Sequence, residues 1–267
     1  MDVIDKIYKG VVSGVTAGTI CWPLDTIKTQ NQVRLRGKSL IQSFRFIIKN
    51  DGFMGLYRGI LSGNLATGVF YGAFLPIYEI NKSFFKKYVT NEHILNGMSS
   101  YLAGIIASTL DNPLYVLKTR YQAALVKGTQ SQVSLFKMAY NMYKREGLSV
   151  FMKGLGVSYF KNLELGVQLI LFEKLKKYLN TDKNKFVALP IASFLAKTIA
   201  STVTYPIDTI RTICRTDSHI GIRNITTNVY KSGGLVGFYK GYSAYFIRAI
   251  PSSVIVFTIN ECLKCSK

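Results

Sequence analysis

Acidic residues are scarce in this chain of 267: 14 Asp+Glu stand against 34 Lys+Arg, a formal net charge of +20. Histidine is scarcer, with His93 and His219 alone, and cysteine is limited to Cys21, Cys214, Cys262 and Cys265. Two histidines without a third partner, and no cysteine pairs spaced for a metal, exclude the usual triads and zinc clusters. No Gly-rich phosphate loop is present either, so neither metal nor cofactor is expected and an enzyme is not the reading. Cys262-x-x-Cys265 stands alone at the C-terminus and reads as two reduced thiols. The opening residues MDVIDKIYKG hold Asp2 and Asp5 and no apolar core, unlike a secretory signal or a basic presequence; any organelle address is expected to be internal. A clean run of twenty apolar residues is also missing, so no single segment announces a membrane span.

What is abundant narrows the choice. At 48% hydrophobic the chain is too apolar for a disordered basic tail. A chain both this apolar and this basic suits a nucleic-acid surface or a bilayer with anionic headgroups. A nucleic-acid binder would lay basic stripes along helix faces among aromatics. Here the charges cluster at turns between long uncharged stretches, so no nucleic-acid partner is expected.

The strongest signal is repetition. A Pro-centred phrase occurs three times: Pro23-Leu-Asp-Thr-Ile-Lys28, Pro113-Leu-Tyr-Val-Leu-Lys118 and Pro206-Ile-Asp-Thr-Ile-Arg211. Each is followed by a Gly-aromatic-base-Gly phrase ending at Gly59, Gly154 or Gly241, and then by Tyr78-Glu-Ile-Asn-Lys82, Phe172-Glu-Lys-Leu-Lys176 or Asn260-Glu-Cys-Leu-Lys264. Three phrases in constant order mark three homologous units, bounded at 1–90, 91–183 and 184–267. Each unit reads as two long helices with a short amphipathic one between. In unit one, Val11 to Trp22 is small and apolar with Gly14-x-x-x-Gly18, a spacing for close helix approach. Pro23 is expected to kink that helix rather than end it, because the pattern resumes through Lys28. Leu40 to Lys49 reads as an interfacial helix, and Gly59 to Tyr88 as a second long one. Long helices with one small or polar face suit a membrane bundle around a watery cavity.

The repeated Pro-x-[Asp/Glu]-x-x-[Lys/Arg] with its following acid-Gly and aromatic-base-Gly resembles the mitochondrial carrier family, over roughly residues 5 to 265. The resemblance implies an all-α membrane fold: six transmembrane helices in three pseudo-symmetric repeats, each with a short amphipathic matrix-side helix. It further implies alternating-access exchange of a small-molecule substrate across the mitochondrial inner membrane, by a monomer in contact with anionic lipid such as cardiolipin, with both termini on the intermembrane-space side. In such carriers the Pro-motif charges form a matrix gate, and the [Phe/Tyr]-[Asp/Glu]-x-x-[Lys/Arg] charges a cytoplasmic one. Ion pairs that close one mouth of a cavity each cost desolvation, so two gates of similar strength keep both closed states within reach.

Carried over residue by residue, the cytoplasmic gate comprises Tyr78, Glu79, Lys82, Phe172, Glu173, Lys176, Glu261 and Lys264. The matrix gate has three bases, Lys28, Lys118 and Arg211, but only two acids, Asp25 and Asp208; Tyr115 takes the third acid position. Family pairing is read as Asp25 with Arg211 and Asp208 with Lys118, leaving Lys28 for Asp111, one turn before Tyr115, or for water in the open mouth. A gate short of one acid is expected to close less firmly, favouring the matrix-open state. Gln32 and Gln122 occupy positions where the family places a bracing glutamine, with Arg215 there in unit three.

Substrate contacts are sought where a mid-helix charge is costly. Seven residues past each aromatic-base-Gly stand Ala66, Lys161 and Arg248, the family's contact positions. Arg248 suits bidentate recognition of carboxylate or phosphate. Asn162 adjoins Lys161, and Glu164 lies three residues on in a segment one residue shorter than its equivalents, so a shift or bulge is expected there. Lys197 falls where Gly14 and Gly104 precede their own prolines, and is assigned to the cavity wall. The excess positive charge points to a small anionic metabolite bearing carboxylate or phosphate. The alternatives are a nucleotide, a zwitterionic or cationic metabolite such as S-adenosylmethionine or an amino acid, or a carrier-like scaffold that does not transport. Nineteen of the 34 bases fall between a Pro-motif and the next Gly, on what becomes one side of the membrane.

Overall fold

The computed structural model describes residues 3–34, 39–124, 134–179, 185–217 and 220–265. Unit one comprises α1 (Val3–Val33), the short α2 (Leu40–Asp51) and α3 (Ile60–Phe85). Unit two comprises α4 (Glu92–Ala123), the short α5 (Leu135–Glu146), then α6 (Leu155–Lys161) and α7 (Leu163–Tyr178). Unit three comprises α8 (Lys185–Thr216), the short α9 (Ile222–Gly233) and α10 (Tyr242–Cys265). The long elements close into a ring, each packed on the next in the order α1, α3, α4, α6–α7, α8, α10 and back to α1. This is the all-α membrane architecture that the repeats implied.

Burial runs opposite to that of a water-soluble bundle. On α8 the large side chains Ile191, Leu195, Ile199 and Val203 recur every fourth residue on the outer face, Val203 being 73% exposed. One position round the helix, Ala192, Ala196 and Ala200 are fully buried. Small residues inside let helix backbones approach, while bulky apolar residues outside meet lipid, where there is no penalty for exposing them. Only the span Phe53–Phe85 is apolar enough on composition alone to cross a membrane among the described residues, because the other long helices carry a polar inner face.

Pro23, Pro113 and Pro206 lie inside α1, α4 and α8, which run on past them as the resumed pattern predicts. Close approach at α1 differs from the sequence reading. A Cβ at Gly14 would stand 2.7 Å from the Tyr71 ring and one at Gly10 3.2 Å, whereas at Gly18 the nearest atom is 3.9 Å away. The tight pair is therefore Gly10 and Gly14, against Tyr71 of α3. Gly14→Ala is expected to lower stability by about 1 kcal/mol through overpacking on a ring that can partly yield. Gly18→Ala is expected to be neutral or stabilising, since it adds helix propensity in open space. Thermal unfolding of the two variants in detergent tests the contrast, which fails if Gly18→Ala is the worse.

Each short helix ends in a 3₁₀ turn, and each following long helix begins at Gly59, Gly154 or Gly241 in the left-handed region, which side chains with a Cβ rarely adopt. These starts also abut a base of the Pro-motifs. A Cβ on Gly241 would lie 2.9 Å from the Lys28 carbonyl; Gly59 and Gly154 stand in the same relation to Lys118 and Arg211, at 3.3 Å. Unit two departs where its segment is one residue short: the helix is interrupted at Asn162, between α6 and α7. There the Leu165 amide bonds to the Asn162 carbonyl three residues back, a tightened turn.

Candidate functional site

The residue before each motif proline anchors the ring of Pro-motif charges. Trp22 Nε1 donates to the Arg58 carbonyl at 2.9 Å, Asn112 Nδ2 to the Phe151 carbonyl at 2.7 Å, and the Tyr205 hydroxyl to the Lys240 carbonyl at 3.1 Å. Thr26 and Thr209, three residues past their prolines, bond likewise to the Leu56 and Phe238 carbonyls, both at 2.7 Å. These ties fix α1, α4 and α8 to the starts of α3, α6 and α10 and set the height of the charges. Sequence reading passed over them, although a side-chain donor before all three prolines was a visible signal.

The ion pairs run in the direction opposite to the expected one. Asp25 accepts from Lys118 at 3.3 Å and also pairs with Arg248, while Asp208 pairs with Lys28 at 2.6 Å. Asp25 thus meets Lys118 rather than Arg211, and Asp208 meets Lys28 rather than Lys118. Lys28 therefore has its acid, and its expected pairing with Asp111 does not form. Going round the ring, each acid reaches the base of one fixed neighbour, so the base deprived by Tyr115 is Arg211. It turns back onto Asp208 of its own helix at 2.5 Å.

Aromatic rings support the lysines. Lys28 Nζ stands 5.0 Å from the Tyr245 ring centroid and 5.6 Å from that of Tyr205; Lys118 Nζ stands 4.4 Å from Trp22 and 5.6 Å from Tyr115. Such contacts hold a cation that has left bulk water without consuming a carboxylate. Tyr115 also underlies the Arg215 guanidinium at 5.2 Å. Gln32 donates to Asp208 at 3.2 Å, next to the Lys28 pair. Gln122 touches no charge: it accepts from Thr29 at 2.9 Å and donates to Thr26 at 3.2 Å, joining α4 to α1. Arg215, in the third glutamine position, donates to Asn112 at 2.8 Å and Ser158 at 3.1 Å. Asp111 is buried with no hydrogen bond or ion pair among the described residues; the charges that act on it belong to Arg215 and Arg211.

Deeper in the ring lie the mid-helix positions. Ala66 is fully buried and offers only its methyl group. Lys161 is paired with Glu164, and both bond to Thr204 of α8, at 3.0 and 2.8 Å. Asn162 exchanges hydrogen bonds with Ser108 of α4 and faces no charge. Arg248 is committed to Asp25. Lys197 is half-buried and makes no hydrogen bond or ion pair among the described residues, with Arg248, Asp25 and Lys28 as the charges acting on it. Counting both layers, seven bases (Lys28, Lys118, Lys161, Lys197, Arg211, Arg215, Arg248) face four acids (Asp25, Asp111, Glu164, Asp208).

At the opposite end of the bundle, Glu173 is held by Asn96 and by His93, both at 2.7 Å, and the Tyr78 hydroxyl donates to Asn96 at 3.1 Å. Lys82 Nζ stands 5.9 Å from the Tyr78 ring, Phe172 is half-buried beside Glu173, and Glu79 and Lys176 are engaged within the protein. Glu261 and Lys264 lie outside the residues whose side chains are described.

The family description "Mitochondrial carrier protein" matches residues 1–89, 90–183 and 182–266. A relative named nicotinamide adenine dinucleotide transporter 1, chloroplastic, from Arabidopsis thaliana is 30% identical over 97% of this chain and 91% of its own length. The mitochondrial transporter 2 of the same name and organism is 29% identical over 95% of this chain and 77% of its own. Human solute carrier family 25 member 33 is also 29% identical, over 92% and 83%. With three tandem matches laid over three Pro-motif units in one closed ring, the chain belongs to the mitochondrial carrier family.

Proposed function

We propose that this carrier exchanges a small anionic metabolite, bearing carboxylate or phosphate, across the mitochondrial inner membrane. The observation that carries the reading is Lys197: a half-buried mid-membrane cation that pairs with no acid among the described residues and lies within reach of the Arg248 charge. A cation in that position is costly unless an anion arrives to meet it, and an arriving anion meets a site in which bases outnumber acids. Asp25, Lys28, Lys118, Asp208 and Arg211 form the matrix gate, braced by Gln32; the Glu173 cluster belongs to the cytoplasmic gate. Substrate held at Arg248 draws it from Asp25, loosening the gate from within and coupling binding to opening. The carrier works as a monomer in contact with anionic lipid, cardiolipin by family likeness, with both termini on the intermembrane-space side.

A nucleotide is the second reading, favoured by the two relatives named as dinucleotide transporters. Exchange into proteoliposomes preloaded with dicarboxylates, inorganic phosphate, nucleotides, amino acids or S-adenosylmethionine decides among these classes. Lys197→Gln is expected to weaken binding of the accepted anion about fivefold, a loss typical of one partly solvated charged contact. Exchange of cations alone, or of nothing, overturns the proposal.

A further inference from the structure

Lys161, the unit-two contact position, is already occupied. Its ammonium is paired with Glu164, and Thr204 of α8 touches both groups, donating to the Glu164 carboxylate at 2.8 Å. The pair belongs to unit two alone: the equivalent of Glu164 in unit three is Pro251, and Ala66 of unit one carries no charge to neutralise. It is also built in by the backbone. The interruption at Asn162, anchored by hydrogen bonds between Asn162 and Ser108, lies between Lys161 and Glu164, and the tightened turn sets them on one side of the helix three residues apart. Glu164 is 8% exposed, so its charge is committed to this lysine rather than to water.

We propose that Glu164 is an internal counter-ion that takes the place of a substrate anion at Lys161 and limits how much negative charge the site accepts. The inference rests on the anion-exchange reading above and deepens it. A substrate oxyanion that engages Lys161 must first displace Glu164 or share the ammonium with it, and the displaced carboxylate is left buried with the Thr204 hydroxyl as its remaining partner. Each further negative charge on the substrate meets that carboxylate at close range. With Lys161 neutralised, Lys197 and Arg248 are the contacts left for substrate, and Arg248 is itself shared with Asp25. Glu164 thereby sets specificity by charge, favouring anions of low charge over polyanions.

The test is binding to the purified full chain of four probes of rising charge: inorganic phosphate, malate, ADP and ATP. Glu164→Gln keeps the shape of the side chain and removes its charge. It is expected to tighten the most highly charged probe that wild type binds by about tenfold, the equivalent of one charge-assisted contact, and to tighten phosphate less. In a Lys161→Gln background the same change is expected to tighten binding less, because it then relieves only the repulsion between Glu164 and substrate and frees no ammonium, a dependence on Lys161 that a merely structural role for Glu164 does not produce. Should Glu164→Gln leave Lys161 too poorly solvated to fold, Glu164→Ser, which admits water beside the ammonium, is read in the same way. If wild type binds an anion that Lys161→Gln weakens, but neither Glu164 variant strengthens it, the counter-ion role is overturned while anion exchange stands. If wild type and all variants bind none of the four probes, the anion reading fails and this inference with it.

Discussion

Asp208→Asn is expected to stop measurable exchange. Asp208 is almost fully buried and serves three partners at once: Lys28 at 2.6 Å, Arg211 at 2.5 Å and Gln32 at 3.2 Å. The amide keeps the volume and one acceptor, but leaves two cations facing each other across the α1–α8 seam without a counter-charge. Removing one partner of a buried ion pair costs about 3–5 kcal/mol. The lower figure applies here, because Lys28 retains 14% of its side chain in water and rests on the Tyr205 and Tyr245 rings. A loss of about 3 kcal/mol from the closed matrix side is more than a hundredfold in its population. Asp25→Asn is expected to be comparably damaging, because it leaves both Lys118 and Arg248 without their acid, although Trp22 and Tyr115 still support Lys118. Proteoliposome exchange, with thermal unfolding as the folding control, measures both. Near wild-type exchange by a folded Asp208→Asn variant would show that the pairs at Asp208 do not form the gate.

The pairs made by these two acids bear on what could be read in the sequence. The architecture was legible because it is written three times: prolines, glycines and charges at matched positions require one local geometry used in triplicate. The uninterrupted helices through Pro23, Pro113 and Pro206 follow from the pattern that resumes past the proline, and the left-handed starts at Gly59, Gly154 and Gly241 fall on glycines that recur in every unit. The direction of the ion pairs was not legible. Spacing gives which residue is an acid and which a base, and both senses of rotation round a three-membered ring satisfy the same list. The sense is settled by how the starts of α3, α6 and α10 lean on α4, α8 and α1, visible only once Gly241 is seen against Lys28 and Gly59 against Lys118. The Gly-x-x-x-Gly at Gly14 and Gly18 misled for a related reason: the spacing recurs at Gly10 and Gly14, and only the position of Tyr71 selects between them. Glu164 was legible as a neighbour of Lys161, and its bond with Thr204 was not, since Thr204 lies 40 residues away on α8.

Tyr115→Asp is expected to strengthen the matrix gate by about 1.5 kcal/mol, raising the population of the cytoplasm-open state roughly tenfold. With the pairing direction observed here, a carboxylate at 115 is the missing acid of Arg211, which in its absence doubles back onto Asp208. Arg211 could then leave Asp208 wholly to Lys28, and each of α1, α4 and α8 would hold its neighbour through one inter-helical pair. A new charge-assisted hydrogen bond contributes about 3 kcal/mol at most. Against it stand the lost ring beneath Lys118 and Arg215, worth about 0.5 kcal/mol for each partly hydrated cation. A further few tenths of a kcal/mol go to repulsion from Asp111, one turn away on the same face. Tyr115→Phe removes the hydroxyl, keeps the ring and adds no charge, so it should leave the gate as it is. Side-specific labelling of a cysteine placed in the matrix mouth, in proteoliposomes, reads the population directly: protection should rise for Tyr115→Asp and stay unchanged for Tyr115→Phe. Exchange should slow in the same variant, because a gate that closes too firmly makes reopening the slow step. If protection does not rise, Arg211 is already satisfied by Asp208, and the tyrosine in the third acid position costs this carrier nothing.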